Sequence, residues 1–181
     1  YYEAVKYCYD GNIFKGTTDT TFEPDTTMTR QQMAAVLWRL NGAPQPAAAN
    51  PFTDVAASSA YAKAIAWAAE NDITNGTTDA TFAPNQAITR QQFLTILYRY
   101  ARFMEYDVSV GQNTNILSYE DVDQAAEYAI PALQWACGAG VLEAESRLEP
   151  TAPAPRWQAA EFLANFCQKV VPAETSAEQA A

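Results

Sequence analysis

The strongest constraint on this chain is that it repeats itself. Residues 16–32 read G-T-T-D-T-T-F-E-P-D-T-T-M-T-R-Q-Q, and sixty positions further on residues 76–92 read G-T-T-D-A-T-F-A-P-N-Q-A-I-T-R-Q-Q. The register extends outward on both sides. Ala4-Val5-Lys6-Tyr7-Cys8 answers Ala64-Ile65-Ala66-Trp67-Ala68, and Leu37-Trp38-Arg39-Leu40 answers Leu97-Tyr98-Arg99-Tyr100. A third, more diverged copy follows. Tyr119-Glu120-Asp121-Val122 matches Phe52-Thr53-Asp54-Val55, Ala132-Leu133-Gln134-Trp135-Ala136 matches the segment through Trp67, and Pro150 to Arg156 keeps the spacing of Pro84 to Arg90 with a middle loop two residues shorter. The alignment divides the chain into units at 1–49, 50–110 and 111–171, followed by a polar tail at 172–181, and places the start of the chain inside a repeat, because Tyr1 aligns with Tyr61 and the first unit has no Phe-X-Asp-Val. Such units bury their apolar faces against one another, so one fold built from three sisters is expected.

Each unit reads as two helices around a turn-rich loop. The second helix carries apolar residues at i, i+3, i+4 and i+7: Met33, Val36, Leu37 and Leu40; then Phe93, Ile96, Leu97 and Tyr100; then Ala159, Phe162, Leu163 and Phe166. Thr29 with Gln32, and Thr89 with Gln92, have the form of a capping box, while Pro155 removes the hydroxyl cap in the third unit although proline tolerates a helix start. The first helices are expected over residues 1–10, 61–71 and 126–139, with linkers at 42–51 and 103–118. The fold class is therefore all-α, a pseudo-threefold bundle of helix–loop–helix units.

Composition excludes more than it suggests. With 11 Lys and Arg against 21 Asp and Glu the formal charge is −10, which opposes binding to nucleic acid or an anionic membrane surface. No apolar run reaches the roughly 20 residues of a membrane span. The absence of histidine removes His-based triads and His-ligated zinc, and Cys8, Cys137 and Cys167 form no Cys-X-X-Cys pair. Cys8 aligns with Ala68 and Ala136, which marks a small buried position rather than a nucleophile. No Asp-X-Asp-X-Asp-Gly loop for calcium is present, and nothing singles out a glycosidase pair among the carboxylates. Neither a metal nor a cofactor is expected, and the chain is read as non-enzymatic.

The motifs resemble the S-layer homology family, whose repeats carry Phe-X-Asp-Val, an Ala-Ile-X-Trp/Tyr-Ala helix, Gly-X-X-X-Asp-Gly-X-Phe-X-Pro, and Thr-Arg-Ala-Glu opening a second helix. The resemblance runs to about Val171. It implies a three-repeat module that holds an extracellular protein to the cell wall by binding secondary cell-wall polysaccharide, commonly pyruvylated, or in some relatives modified peptidoglycan. It also implies that the motif arginine is the central ligand contact in grooves between repeats, helped by the motif aspartate and by backbone near the loop glycine. Carried over, these are Arg30, Arg90 and Arg156; Asp54 and Asp121; Gly16 and Gly76. The motif glutamate becomes Gln32, Gln92 and Gln158, and the third unit offers Leu142 and Leu148 in place of the loop Gly and Phe.

Elementary electrostatics gives the arginines a reason. A cation in the first turn of a helix faces the positive end of the macrodipole, at a cost of roughly 0.3–1 kcal/mol unless something compensates. A carboxylate-bearing sugar would compensate, held by free backbone donors of the first turn and by the guanidinium fork. The competing reading is that Arg30 and Arg90 pair with Asp54, Asp121 or Asp25 and merely tie units together, making the module a self-assembly or protein-docking element. Trp67, Trp135 and Tyr7 share one helix position and read as core, whereas Trp157, beside Arg156, reads as an exposed ring available for stacking.

Overall fold

The computed structural model describes residues 1–18 and 20–172. The helices are α1 (Tyr2–Asp10), α2 (Arg30–Leu40), α3 (Ala62–Glu70), α4 (Arg90–Phe103), α5 (Ile130–Gly138) and α6 (Arg156–Lys169), with 3-10 turns at Ser109–Asn113, Val122–Gln124 and Glu127–Ala129. Among the described residues no β-strand forms.

Helix pairing runs between units rather than within them. The second helix of each unit packs on the first helix of the next, α2 on α3, α4 on α5, and α6 back onto α1, so the ring closes. The apolar stripes read from the sequence face this packing: Met33, Leu37, Phe93, Leu97, Tyr100, Leu163 and Phe166 have no exposed surface, and only Leu40 is left half-buried. Each such aliphatic or aromatic side chain contributes about 1.5–3 kcal/mol by leaving water. Trp135 and Trp67 are core, as their shared position predicts, whereas Tyr7 is half-buried.

At the centre three backbone hydrogen bonds close a triangle. Met28 N–H donates to Ala154 at 3.0 Å, Ala154 N–H to Ile88 at 2.9 Å, and Ile88 N–H to Met28 at 2.9 Å. Three isolated antiparallel bridges flank it, Thr27 with Pro155, Thr29 with Ala87 and Thr89 with Pro153. Met28, Ile88 and Ala154 are fully buried, so the buried polar backbone on the pseudo-threefold axis is satisfied by the sister units themselves.

Two local expectations need correction. Residues 126–129 do not belong to a long first helix: Glu127–Ala129 is a 3-10 turn, and the α-helix begins at Ile130 with Pro131 in its first turn, where a missing N–H is harmless. The segment 103–118 is not all linker, since α4 runs through Phe103 and Ser109–Asn113 forms a 3-10 turn. That turn packs on α5 so closely that a Cβ on Gly111 would lie 3.0 Å from the Trp135 backbone nitrogen. The tail at 172–181 lies, after Pro172, outside the described residues.

Candidate functional site

The three motif arginines open α2, α4 and α6 and lie on the seams between units. Their helices start as the capping sequences predict. Gln32 Oε1 accepts from Thr29 N–H at 2.9 Å, and Gln92 Oε1 from Thr89 N–H at 3.2 Å, with Thr89 Oγ1 accepting from Gln92 N–H in return. In the third unit Pro155 has no N–H to give, and Gln158 Oε1 is buried without a partner.

The first-turn backbone donors are not free, contrary to the expectation for an anion site at the helix ends. Arg30 N–H donates to Gln86 O at 3.0 Å and Gln31 N–H to Pro84 O at 3.1 Å. Arg90 and Gln91 do the same to Ala152 and Pro150, and Arg156 and Trp157 to Thr26 and Pro24. Each helix N-terminus is thus capped by the loop of the following unit, and what remains for chemistry on the seam is the guanidinium.

The guanidinium environments differ. Arg30, 4% exposed, donates from Nε to Phe82 O at 2.8 Å and lies over the Phe82 ring, 4.8 Å from its centroid, while its Nη2 has no partner. Among the described residues no carboxylate comes within ion-pair distance of it. Burial lowers its pKa, opposed by Tyr128 and Asp54. Arg156 is engaged internally: Nε donates to Phe22 O at 2.7 Å, Nη2 to Lys15 O at 2.8 Å, and its Cζ lies over the Phe14 and Phe22 rings, 4.4 and 4.7 Å from their centroids. Arg90 departs from both. Its Nε is buried without a partner and its Nη1 bonds Glu149 Oε2 at 3.2 Å. The shortened loop of the third unit has Leu148 where Phe82 stands, and the guanidinium turns instead to the residue before Pro150.

The motif aspartates do not touch the arginines. Asp54 accepts from the N–H groups of Phe82 and Ala83 at 2.8 and 2.7 Å, and Asp121 from Leu148 and Glu149 at 2.7 and 2.8 Å. Burial works to raise both pKa values, but the two backbone donors, with Arg30 near Asp54 and Arg147 near Asp121, outweigh it and hold both carboxyls below their ordinary value. Their contacts clamp loops in which Ala83 and Glu149 stand at φ +54° and +48° immediately before a proline; Glu23, at +52° before Pro24, repeats that geometry in the first unit, which has no motif aspartate. The glycines are required by the same loop. A Cβ on Gly16 would lie 2.4 Å from Thr21 O, and one on Gly76, at φ +76°, 2.5 Å from Thr81 O.

Among the described residues, two seams open into grooves. One, about 480 Å³, is lined by Arg30, Thr74, Asn75, Gly76, Gln92 and Arg99, with the exposed Tyr128 at its rim. The other, about 580 Å³, is lined by Arg90, Trp157, Gln158 and Glu161 together with Tyr1 and Glu143. Trp157 is half-buried rather than exposed, its ring 5.7 Å from that of Tyr1. Sequence reasoning missed Glu149, Arg99 and the phenylalanine platforms. Arg99 was legible, since it aligns with Arg39, and so was Phe82, which repeats Phe22; Glu149 carries no signal in one dimension.

A closed ring of helix pairs with a guanidinium on each seam defines a repeat-built module. The S-layer homology domain model matches residues 1–34 and 51–94, the first two units, and the third is joined to them by the shared axis and the equivalent arginine seam. The chain belongs to the S-layer homology family. It is 30% identical over 92% of its length to an endoglucanase of Bacillus sp. (strain KSM-635), of which it spans 17%. It is 31% identical over 58% of its length to a cellulosome-anchoring protein of Acetivibrio thermocellus, spanning 24% of that protein, and 28% identical over 85% of its length to a surface-layer 125 kDa protein of Lysinibacillus sphaericus, spanning 13%. The chain therefore corresponds to a minor part of each of these relatives.

Proposed function

We propose that this module anchors a larger protein at the cell surface by holding an anionic cell-wall polysaccharide, a secondary polymer or modified peptidoglycan, in its inter-unit grooves, and that it is not itself an enzyme. One observation carries the reading. Arg30 is buried, has no acidic partner among the described residues, keeps one Nη unbonded, and opens on a groove that also holds Arg99 and has no acidic side chain in its lining. A lone buried guanidinium is costly to keep. A ligand carboxylate entering the groove would offset that cost with charge-assisted, bidentate bonds. The family and the relatives named for anchoring and surface layers support a place at the wall. The tie-between-units reading is favoured at one seam, where Arg156 is bonded to two carbonyls of the first unit.

The test is sedimentation with purified cell walls. Arg30→Ala together with Arg90→Ala should leave the module in the supernatant, and Arg30→Lys, which keeps charge but loses the fork, should weaken retention; added salt should release the wild type. Undiminished retention of the double variant, with its helical circular dichroism intact, would discard the arginine site.

A further inference from the structure

We propose that Asn75-Gly76 is a self-modifying step in the loop of the second unit, which converts the Asn75 amide into a carboxylate inside the Arg30 groove and so ends anion capture there. The loss of capture rests on the function proposed above; the chemistry at Asn75 does not. The chain has two Asn-Gly steps, Asn41-Gly42 and Asn75-Gly76. Before a glycine the backbone nitrogen reaches the asparagine side-chain carbonyl with least obstruction, because no Cβ stands in the way. What separates the two steps is the structure around that nitrogen. Gly42 N–H is engaged: it donates to Arg39 O at 2.9 Å in the turn that ends α2, and Asn41 is half-buried. Gly76 N–H has only a contact of 3.5 Å with Thr74 Oγ1, the length of a weak bond. Asn75 is exposed and lies outside any helix, and its side-chain amide makes no hydrogen bond among the described residues.

The glycine is fixed by the fold and the asparagine is not. A Cβ on Gly76 would lie 2.6 Å from the Phe52 ring and 2.6 Å from Thr78 O, whereas the first unit carries Lys15 at the position of Asn75. The groove favours the first step. Attack requires the Gly76 nitrogen to give up its proton, and Arg30 and Arg99, in a lining without an acidic side chain, stabilise the nitrogen anion. The nitrogen bonds to the Asn75 side-chain carbonyl carbon, the bond from that carbon to the side-chain nitrogen breaks, and ammonia leaves with the proton lost from Gly76. Water then opens the cyclic imide at either carbonyl, giving aspartate or isoaspartate. Water is the only co-reactant. The new carboxylate stands in the same lining as the two guanidiniums and neutralises the charge that an anionic ligand needs.

The experiment incubates the module in neutral buffer and follows both asparagines by peptide mass spectrometry, with isoaspartate read by enzymatic methyl transfer. In the native protein Asn75 should convert at least about tenfold faster than Asn41, whose glycine must first release its hydrogen bond. In urea the two rates should become similar. Equal native rates, or faster conversion of Asn41, overturn the inference. Asn75→Asp should raise the urea midpoint at low salt, and the gain should vanish in an Arg30→Ala, Arg99→Ala background. A midpoint that does not rise overturns the switch, because the carboxylate then fails to meet the guanidiniums. Sedimentation with cell walls compares each aged protein with its own fresh sample. Aged wild type should lose retention in proportion to converted Asn75, and Asn75→Gln should not decline. Retention that survives full conversion overturns the switch and leaves the anchoring reading standing. Fresh module that binds walls without regard to Arg30 overturns the anchoring reading and with it the loss of capture, while the mass spectra alone decide the conversion of Asn75.

Discussion

Asp54 and Arg30 act on the same residue from opposite sides without touching: the carboxylate takes Phe82 N–H at 2.8 Å, and the guanidinium Nε gives to Phe82 O at 2.8 Å. The aspartate is thus a positioning residue. It fixes the carbonyl that aims the arginine, and its second oxygen holds Ala83, whose φ of +54° would otherwise relax. Asp54→Ala should weaken wall retention several-fold at unchanged helix content, and Asp54→Asn, which keeps one acceptor, should weaken it less. Equal retention of all three proteins in the sedimentation assay would remove Asp54 from the mechanism.

The aspartates also make the fold acid-sensitive. Their folded pKa values lie below the ordinary 3.8, so above that value the native state holds the full benefit of two ionised clamps, and the benefit is lost as pH falls through the depressed folded values. Urea midpoints measured between pH 7 and pH 3 should be flat until about pH 4 and then fall. Asp121→Asn should flatten part of that fall and cost about 1–3 kcal/mol at pH 7, because Asp121 is 1% exposed and bonded to two backbone donors.

Pro155→Thr should restore the missing cap. A threonine supplies the N–H that Gln158 Oε1 lacks and a hydroxyl for the first turn of α6, as Thr89 does for Gln92. A gain of about 0.5–1 kcal/mol is expected, a typical cap less the entropy that proline removes from the unfolded chain. The gain should vanish in Pro155→Thr combined with Gln158→Ala.

Thiol accessibility follows burial. Burial pushes Cys8 and Cys167 up to about 12, so both should resist an aromatic disulfide reagent at pH 8 in the native protein. All three cysteines are free, and three thiols should titrate in denaturant. A single thiol titrating there without reductant would reveal a bridge.

Ile88→Ala tests whether the three units form one cooperative body. Ile88 is fully buried on the axis, and its loss should cost about 2–4 kcal/mol by leaving a cavity where the central triangle meets. A single urea transition, shifted as a whole, is expected by both circular dichroism and Trp fluorescence. Two transitions would separate the units.

By itself the sequence determined the three-unit plan, the helices and their buried stripes, the capping boxes and the failed one at Pro155, because each is a local pattern of spacing that the backbone must obey. It also placed the arginines at helix starts. Only the tertiary structure decided what surrounds them. The units pair head to tail, so α6 returns to α1, and the loop that caps each helix belongs to the next unit, more than fifty residues away in the first two seams. That long-range exchange occupies the first-turn N–H groups, gives Arg156 to Phe22 and Lys15, turns Arg90 to Glu149, and leaves Arg30 without an acidic partner among the described residues. Three near-identical motifs acquire three environments because a guanidinium answers to the carbonyls and carboxylates that packing brings within about 3 Å, and no one-dimensional spacing encodes those.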